Sequence, residues 1–201
     1  MRPAPIQVNF LGFPGTLGCE YIDYLIADKI VIPEISKQWY SEKIIYLPNS
    51  YQANDDDRKI SSKVYSRIDQ DLPDNSFIFC CFNNTYKITP SIFDIWMRIL
   101  NSVQNSVLWL LESNEHSTVN LKKEALKRGV NENRIIFAKR LSLDEHLSRH
   151  RLADIFLDTI PYNAHTTASD ALWSGVPVLT CLGSTFPGRV SSSLLHAIGL
   201  P

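Results

Sequence analysis

A chain of 201 residues with 44% hydrophobic and 20% charged side chains has an ordinary globular balance, enough for one large domain or two small ones. Its formal net charge of -1 offers no bulk attraction to nucleic acid or to anionic membrane, no apolar run reaches the length of a membrane span, and "MRPAPIQVNF" lacks a signal-peptide core. Cys19, Cys80, Cys81 and Cys181 form no Cys-x-x-Cys pair and three of them lie in or beside apolar runs, so they read as buried thiols of a reducing compartment, and the chain as cytoplasmic.

In chain order, "IQVNFLG" (6 to 12) predicts a buried strand, followed by a Pro/Gly turn and the short apolar runs of "CEYIDYLIADKIVIP" and "SEKIIYLP". The charged run from Asn54 to Lys59 and the stretch "DQDLPDNS" read as exposed connection, with a domain boundary near Asp69 to Asn75. A regular rhythm then begins. "FIFCCF" predicts a strand, and apolar residues at 92, 95, 96, 99 and 103 predict a helix with Pro90 in its first turn. "SVLWLL", "RIIFA", "DIFLD" and "PVLTC" predict further strands. Between and after them, helices are predicted in "TVNLKKEALKRG", closed by Gly129, and in "SLDEHLSRHRLA", opened by the capping pattern Ser142-x-x-Glu145. Two more follow in "TTASDALWSG", closed by Gly175, and in "GRVSSSLLHAIG". Uniformly apolar strands alternating with helices imply a parallel α/β sheet covered on both faces.

Ligands of such sheets bind beyond the carboxyl ends of the strands. Three polar clusters fall there: Asn83, Asn84, Tyr86 and Lys87; Lys139 and Arg140 with His146 and Arg149; and His165, Thr166, Thr167 and Asp170. The unpaired amides of a helix mouth attract phosphate, and Thr166, Thr167 and the ammonium of Lys87 fit the same charge. Asp170, one turn into that helix, suits ribose hydroxyls. Thr167-x-x-Asp170 is equally a plain capping pattern, and the two uses coexist. His146 and Arg149, three residues apart on one helix face, fit stacking on a base as well as a solvated polar face. Asp55-x-Asp57 and Asp69-x-Asp71 match a metal-binding Asp-x-Asp only literally, because no strand leads into either. Gly-x-Ser-x-Gly and a Gly-rich dinucleotide loop are both missing from the sequence.

Together "FNNTYKITP", "NSVLWLLES", "RIIFAKRLSLDEHLSRHRLADIFLDT", "NAHTTASDALWSGVPVLT" and "GRVSSSLL" resemble the catalytic region of the O-linked N-acetylglucosamine transferase family, which includes SPINDLY-type proteins. "PIQVNFLGFPGTLGCEYIDYLIAD" and "YSEKIIYLPNSYQ" resemble it too. The resemblance implies a GT-B architecture of Rossmann-like parallel sheets flanked by helices. Residues 1–68 would be the C-terminal part of the first lobe. Residues 72–201 would be the nucleotide-sugar-binding second lobe, nearly complete but truncated at its C-terminus.

The resemblance further implies that Lys87 stabilises the leaving diphosphate and that His146 stacks near the base, these two being the catalytic candidates. Asn84, Leu141, Arg149, His165, Thr166, Thr167 and Asp170 complete the implied donor-binding set. Asn84, Leu143 and Ala168 depart from the residues that animal members carry. The implied reaction is inverting transfer of N-acetylglucosamine from UDP-GlcNAc to Ser or Thr hydroxyls of a protein, without a metal or other cofactor. Acceptors would be recruited by tetratricopeptide repeats absent from this chain, with no role for nucleic acid or membrane, and the fragment alone is expected to be inactive. The alternatives are a non-catalytic nucleotide-binding remnant, a GDP-fucose-using O-fucosyltransferase, and another GT-B enzyme such as an epimerase. The last of these would need paired carboxylates at the cleft.

Overall fold

The computed structural model describes residues 2–200. They form two compact units, and the chain passes between them more than once. Of the described residues the first unit takes 2–55, 161–165 and 181–200; the second takes 56–160 and 166–180.

In the first unit β1 (Val8–Asn9), β2 (Tyr24–Ala27) and β3 (Lys43–Tyr46) make a parallel sheet in that order. Leu25, Ala27, Val31, Ile32 and Tyr51 pack with Phe186 and Val190 from the far end of the sequence, so this core is closed by residues from both chain termini. Asp28, 1% exposed, organises it: Oδ1 accepts from the amides of Ile30 and Val31 (2.8 and 2.9 Å), and Oδ2 from Tyr51 N and Ser193 Oγ (both 2.7 Å). The predicted strand over 6–12 is a correction. Only Val8–Asn9 pairs, Ile6 and Leu11 are exposed, and Leu11 turns into the left-handed region at φ 65°. An edge strand bonded to β2 on one side needs no continuous apolar covering, so its hydrophobic run did not imply burial.

The second unit matches the expected rhythm. Its elements are β4 (Phe77–Cys81), α1 (Pro90–Ser102), β5 (Ser106–Leu111), α2 (Glu115–Lys127) and β6 (Ile135–Ala138). After them come α3 (Leu143–His150), β7 (Ile155–Leu157), α4 (Thr166–Trp173) and β8 (Val178–Leu179). The helix α5 (Val190–Ala197) belongs to the first unit. Pro90 opens α1, where Thr89 Oγ1 caps the amide of Ile92, and the helix buries Ile92, Phe93, Trp96, Met97 and Leu100 on one face. Gly129 and Gly175 adopt φ of 75° and 82°, the left-handed turn that closes α2 and α4.

The strand order β6-β5-β4-β7-β8 is parallel throughout. The chain winds outward from β4 through β5 to β6, then returns to the other side of β4 as β7. The direction of winding therefore reverses between β4 and β7, and in sheets of this kind ligands bind beyond the carboxyl ends at that point. Buried thiols appear where expected on β4: desolvation pushes Cys80 far up and Cys81 to about 12. Cys181, by contrast, is exposed and Cys19 half-buried. Among the described residues no helix is long and apolar enough to cross a membrane.

Candidate nucleotide site

Asn83 follows β4 at the reversal point and is 2% exposed. Its Nδ2 donates to Thr159 Oγ1 at 2.8 Å, just beyond β7, and its Oδ1 accepts from Thr167 Oγ1 in the first turn of α4. One buried amide thus ties the ends of both central strands to the mouth of α4. Asn84 then starts a tight turn, exposed itself, whose carbonyl accepts from Lys87 N at 3.0 Å. This turn brings Lys87 back to the same rim. Burial holds the Lys87 ammonium below its ordinary value, partly opposed by Asp158 and Cys81. A partly desolvated cation at the strand ends regains solvation-like energy from an incoming phosphate. Asp158 is 5% exposed and accepts from Thr159 N (2.7 Å) and Thr180 Oγ1 (2.6 Å).

At the α4 mouth Thr166 is exposed and Thr167 half-buried. The Thr167 hydroxyl donates to Asn83, so it serves the scaffold. Asp170, 5% exposed, is ion-paired with Arg58. His165 precedes α4 in sequence but falls in the first unit, where its ring stacks on Tyr162 (centroids 5.0 Å apart) and its Nε2 lies 3.3 Å from the carbonyl of Pro187.

The third cluster is more buried than an exposed stacking face would be. Arg149 is 1% exposed, its guanidinium between Phe82 and Trp109 (5.4 and 5.8 Å to the ring centroids), and it donates to Lys139 O at 2.5 Å. Its Nη2 and Nε lie 2.8 and 3.1 Å from His146 Nδ1. Arginine only donates, so Nδ1 accepts and His146 carries its hydrogen on Nε2. Burial, then His150 and Arg149, lower the His146 imidazole to about 3, so the ring is neutral. A neutral Nε2–H ring offers a flat face and a donor but no lone pair for removing a proton. His150 has the opposite tautomer: Nδ1 donates to His146 O at 2.7 Å, and burial lowers it to about 4. Leu141 is half-buried on the strand end after β6, and Leu143 is exposed.

Of the two Asp-x-Asp matches, Asp69 accepts from the amide and hydroxyl of Ser66, both at 2.8 Å, and Asp71 holds a left-handed turn at φ 55°. Among the described residues no group of three or more His, Cys, Asp or Glu could hold a metal ion. Sequence reasoning placed Asn83 in its cluster without a role and missed Arg58 altogether.

A parallel sheet whose winding reverses between β4 and β7 places the chain in the doubly wound α/β class. The profile of glycosyl transferase family 41 matches residues 1–62 and 53–201, and the chain belongs to that family. It is 43% identical over 205 residues to the probable UDP-N-acetylglucosamine–peptide N-acetylglucosaminyltransferase SEC of Arabidopsis thaliana, covering 100% of this chain and 21% of the relative. To the probable SPINDLY transferase of Solanum lycopersicum it is 34% identical, covering 99% of this chain and 22% of the relative. The chain thus spans about a fifth of the length of these curated relatives. A mutant form of the Thermobaculum terrenum O-GlcNAc transferase superposes with a TM-score of 0.86 at 31% identity, over 99% of this chain and 38% of that one. The parallel sheets flanked by helices are accordingly of the GT-B type.

Proposed function

We propose that this chain contributes the donor-binding part of a protein O-GlcNAc transferase, with UDP-GlcNAc as donor and Ser or Thr hydroxyls as acceptors. In this reading residues 1–68 end the first GT-B lobe and 72–201 form the second. The observation that carries the proposal is the Asn83 clamp, which puts the Lys87 turn and the α4 mouth at one strand-order reversal. The names of the relatives support the donor and the peptide acceptor.

In the proposed reaction the bond between the sugar's anomeric carbon and the diphosphate oxygen breaks, while the acceptor oxygen bonds to that carbon from the opposite face and its hydroxyl proton passes to solvent. Negative charge grows on the departing diphosphate. The Lys87 ammonium and the first-turn amides of α4 meet it without a metal, already oriented before the bond breaks. His146 serves as the platform for the base, Arg149 fixes its ring, and Asp170 accepts from ribose. Asn84, Leu141 and Thr166 line the same rim.

Calorimetric titration with UDP and with GDP tests this reading. Selective UDP binding, weakened on the order of tenfold or more in Lys87→Met by loss of a charge-assisted contact, supports it. GDP selectivity would move the donor to the guanine class, and binding of neither would overturn the reading.

A further inference from the structure

We infer that Arg58 is a positioning residue for the ribose end of the nucleotide site, acting through Asp170; the inference rests on the donor reading above. Arg58 sits in the charged connection ahead of β4, where residues 53–57 are exposed. It alone turns inward, with its side chain 9% exposed. Nη1 is ion-paired with Asp170 Oδ1, and Nη2 donates to Ser169 Oγ at 3.3 Å. The guanidinium lies 5.2 Å from the ring centroid of Trp173, whose Nε1 donates back to Arg58 O at 3.2 Å. Trp173 lies one helical turn after both Ser169 (i+4) and Asp170 (i+3), so a single residue of an irregular segment grips α4 at three points.

The chemistry of the pair goes beyond a staple. A ribose diol offers two hydroxyl donors and is best received by a carboxylate, which only accepts. Burial works against that ionised form at Asp170, raising its carboxyl, and Arg58 is what opposes the rise. Removing the guanidinium leaves a desolvated carboxyl that takes up a proton and becomes a donor itself. Arg58 also occupies Oδ1, which fixes the plane of the carboxylate and leaves Oδ2 as the oxygen for the ligand.

The test separates this from a purely structural clamp by using two nucleotides. UDP and 2′,3′-dideoxy-UDP are titrated calorimetrically into the full chain as wild type, Asp170→Asn, Arg58→Met and Arg58→Lys. Wild type is expected to prefer UDP on the order of ten- to a hundredfold, the size of a hydrogen bond to a charged group. Arg58→Met should lose most of that preference, as Asp170→Asn does, and regain it as the pH is raised and the carboxyl ionises. Arg58→Lys, which keeps the charge, should hold a partial preference without the pH dependence, and it carries the test if the methionine variant does not fold. Equal weakening of both nucleotides in the Arg58 variants, or an unchanged ratio, overturns the inference alone. Wild-type protein that binds no UDP overturns the donor reading beneath it.

Discussion

Acid should destabilise this protein well above the range where carboxylates protonate, and the origin is the histidine pair on α3. His150 is fully buried, with Nδ1 bonded to His146 O and Nε2 enclosed without a partner. A second proton would therefore have to sit on Nε2, among Phe82, the His146 ring and the Arg149 cation. The folded values are about 4 for His150 and about 3 for His146, against an ordinary 6.5. Both are depressed bases, so the unfolded chain binds more protons. The stability they contribute is complete above about pH 6.5 and is lost as pH falls toward the folded values. Between about pH 7.5 and about pH 5 each histidine costs about 2 kcal/mol, and the pair about 4 kcal/mol. Urea denaturation across that window measures the loss. His150→Asn keeps an amide donor near the Nδ1 position but cannot titrate, so its loss should fall to about 2 kcal/mol. Asp170, whose carboxyl is raised, shifts with the opposite sign but equally in both proteins. A variant whose stability falls as steeply as wild type refutes the reasoning.

Two further outcomes follow from the buried polar groups. Asp28→Asn replaces an acceptor facing two donors with an NH2 group, and should lower stability by about 3 kcal/mol in urea unfolding at neutral pH. Asn83→Ala and Thr167→Val should each cost about 1–3 kcal/mol by stranding a partner, while the double variant costs clearly less than their sum, as a double-mutant cycle would show.

The second unit is legible because its strands are short apolar runs, α1 carries a 3.6-residue apolar stripe, and glycines close α2 and α4. Ile78, Trp96, Leu108 and Trp109 follow directly from that pattern. The strand-end rule expects Lys87, Thr167 and Asp170 together, and all three lie in the second unit. Hydrophobicity misled at Ile6–Gly12, because an apolar residue on an edge strand is not obliged to be buried. Arg58 was illegible for the converse reason: in a charged run, composition cannot distinguish the one residue that finds a buried anion more than a hundred positions away. Arg149 reads in sequence as a solvated cation, and only the carbonyl of Lys139 and the Nδ1 of His146 explain how a guanidinium is accommodated inside.

Phe186 and Val190 complete a nucleus begun by Leu25 and Ile32, and Ser193 shares the Asp28 carboxylate with Tyr51. Leu25 and Ile32 therefore stay unenclosed during synthesis until the much later segment that carries Phe186 and Val190 has been made. A nonsense codon shortly after residue 180 would strip away that closing segment while sparing every strand of the five-stranded sheet.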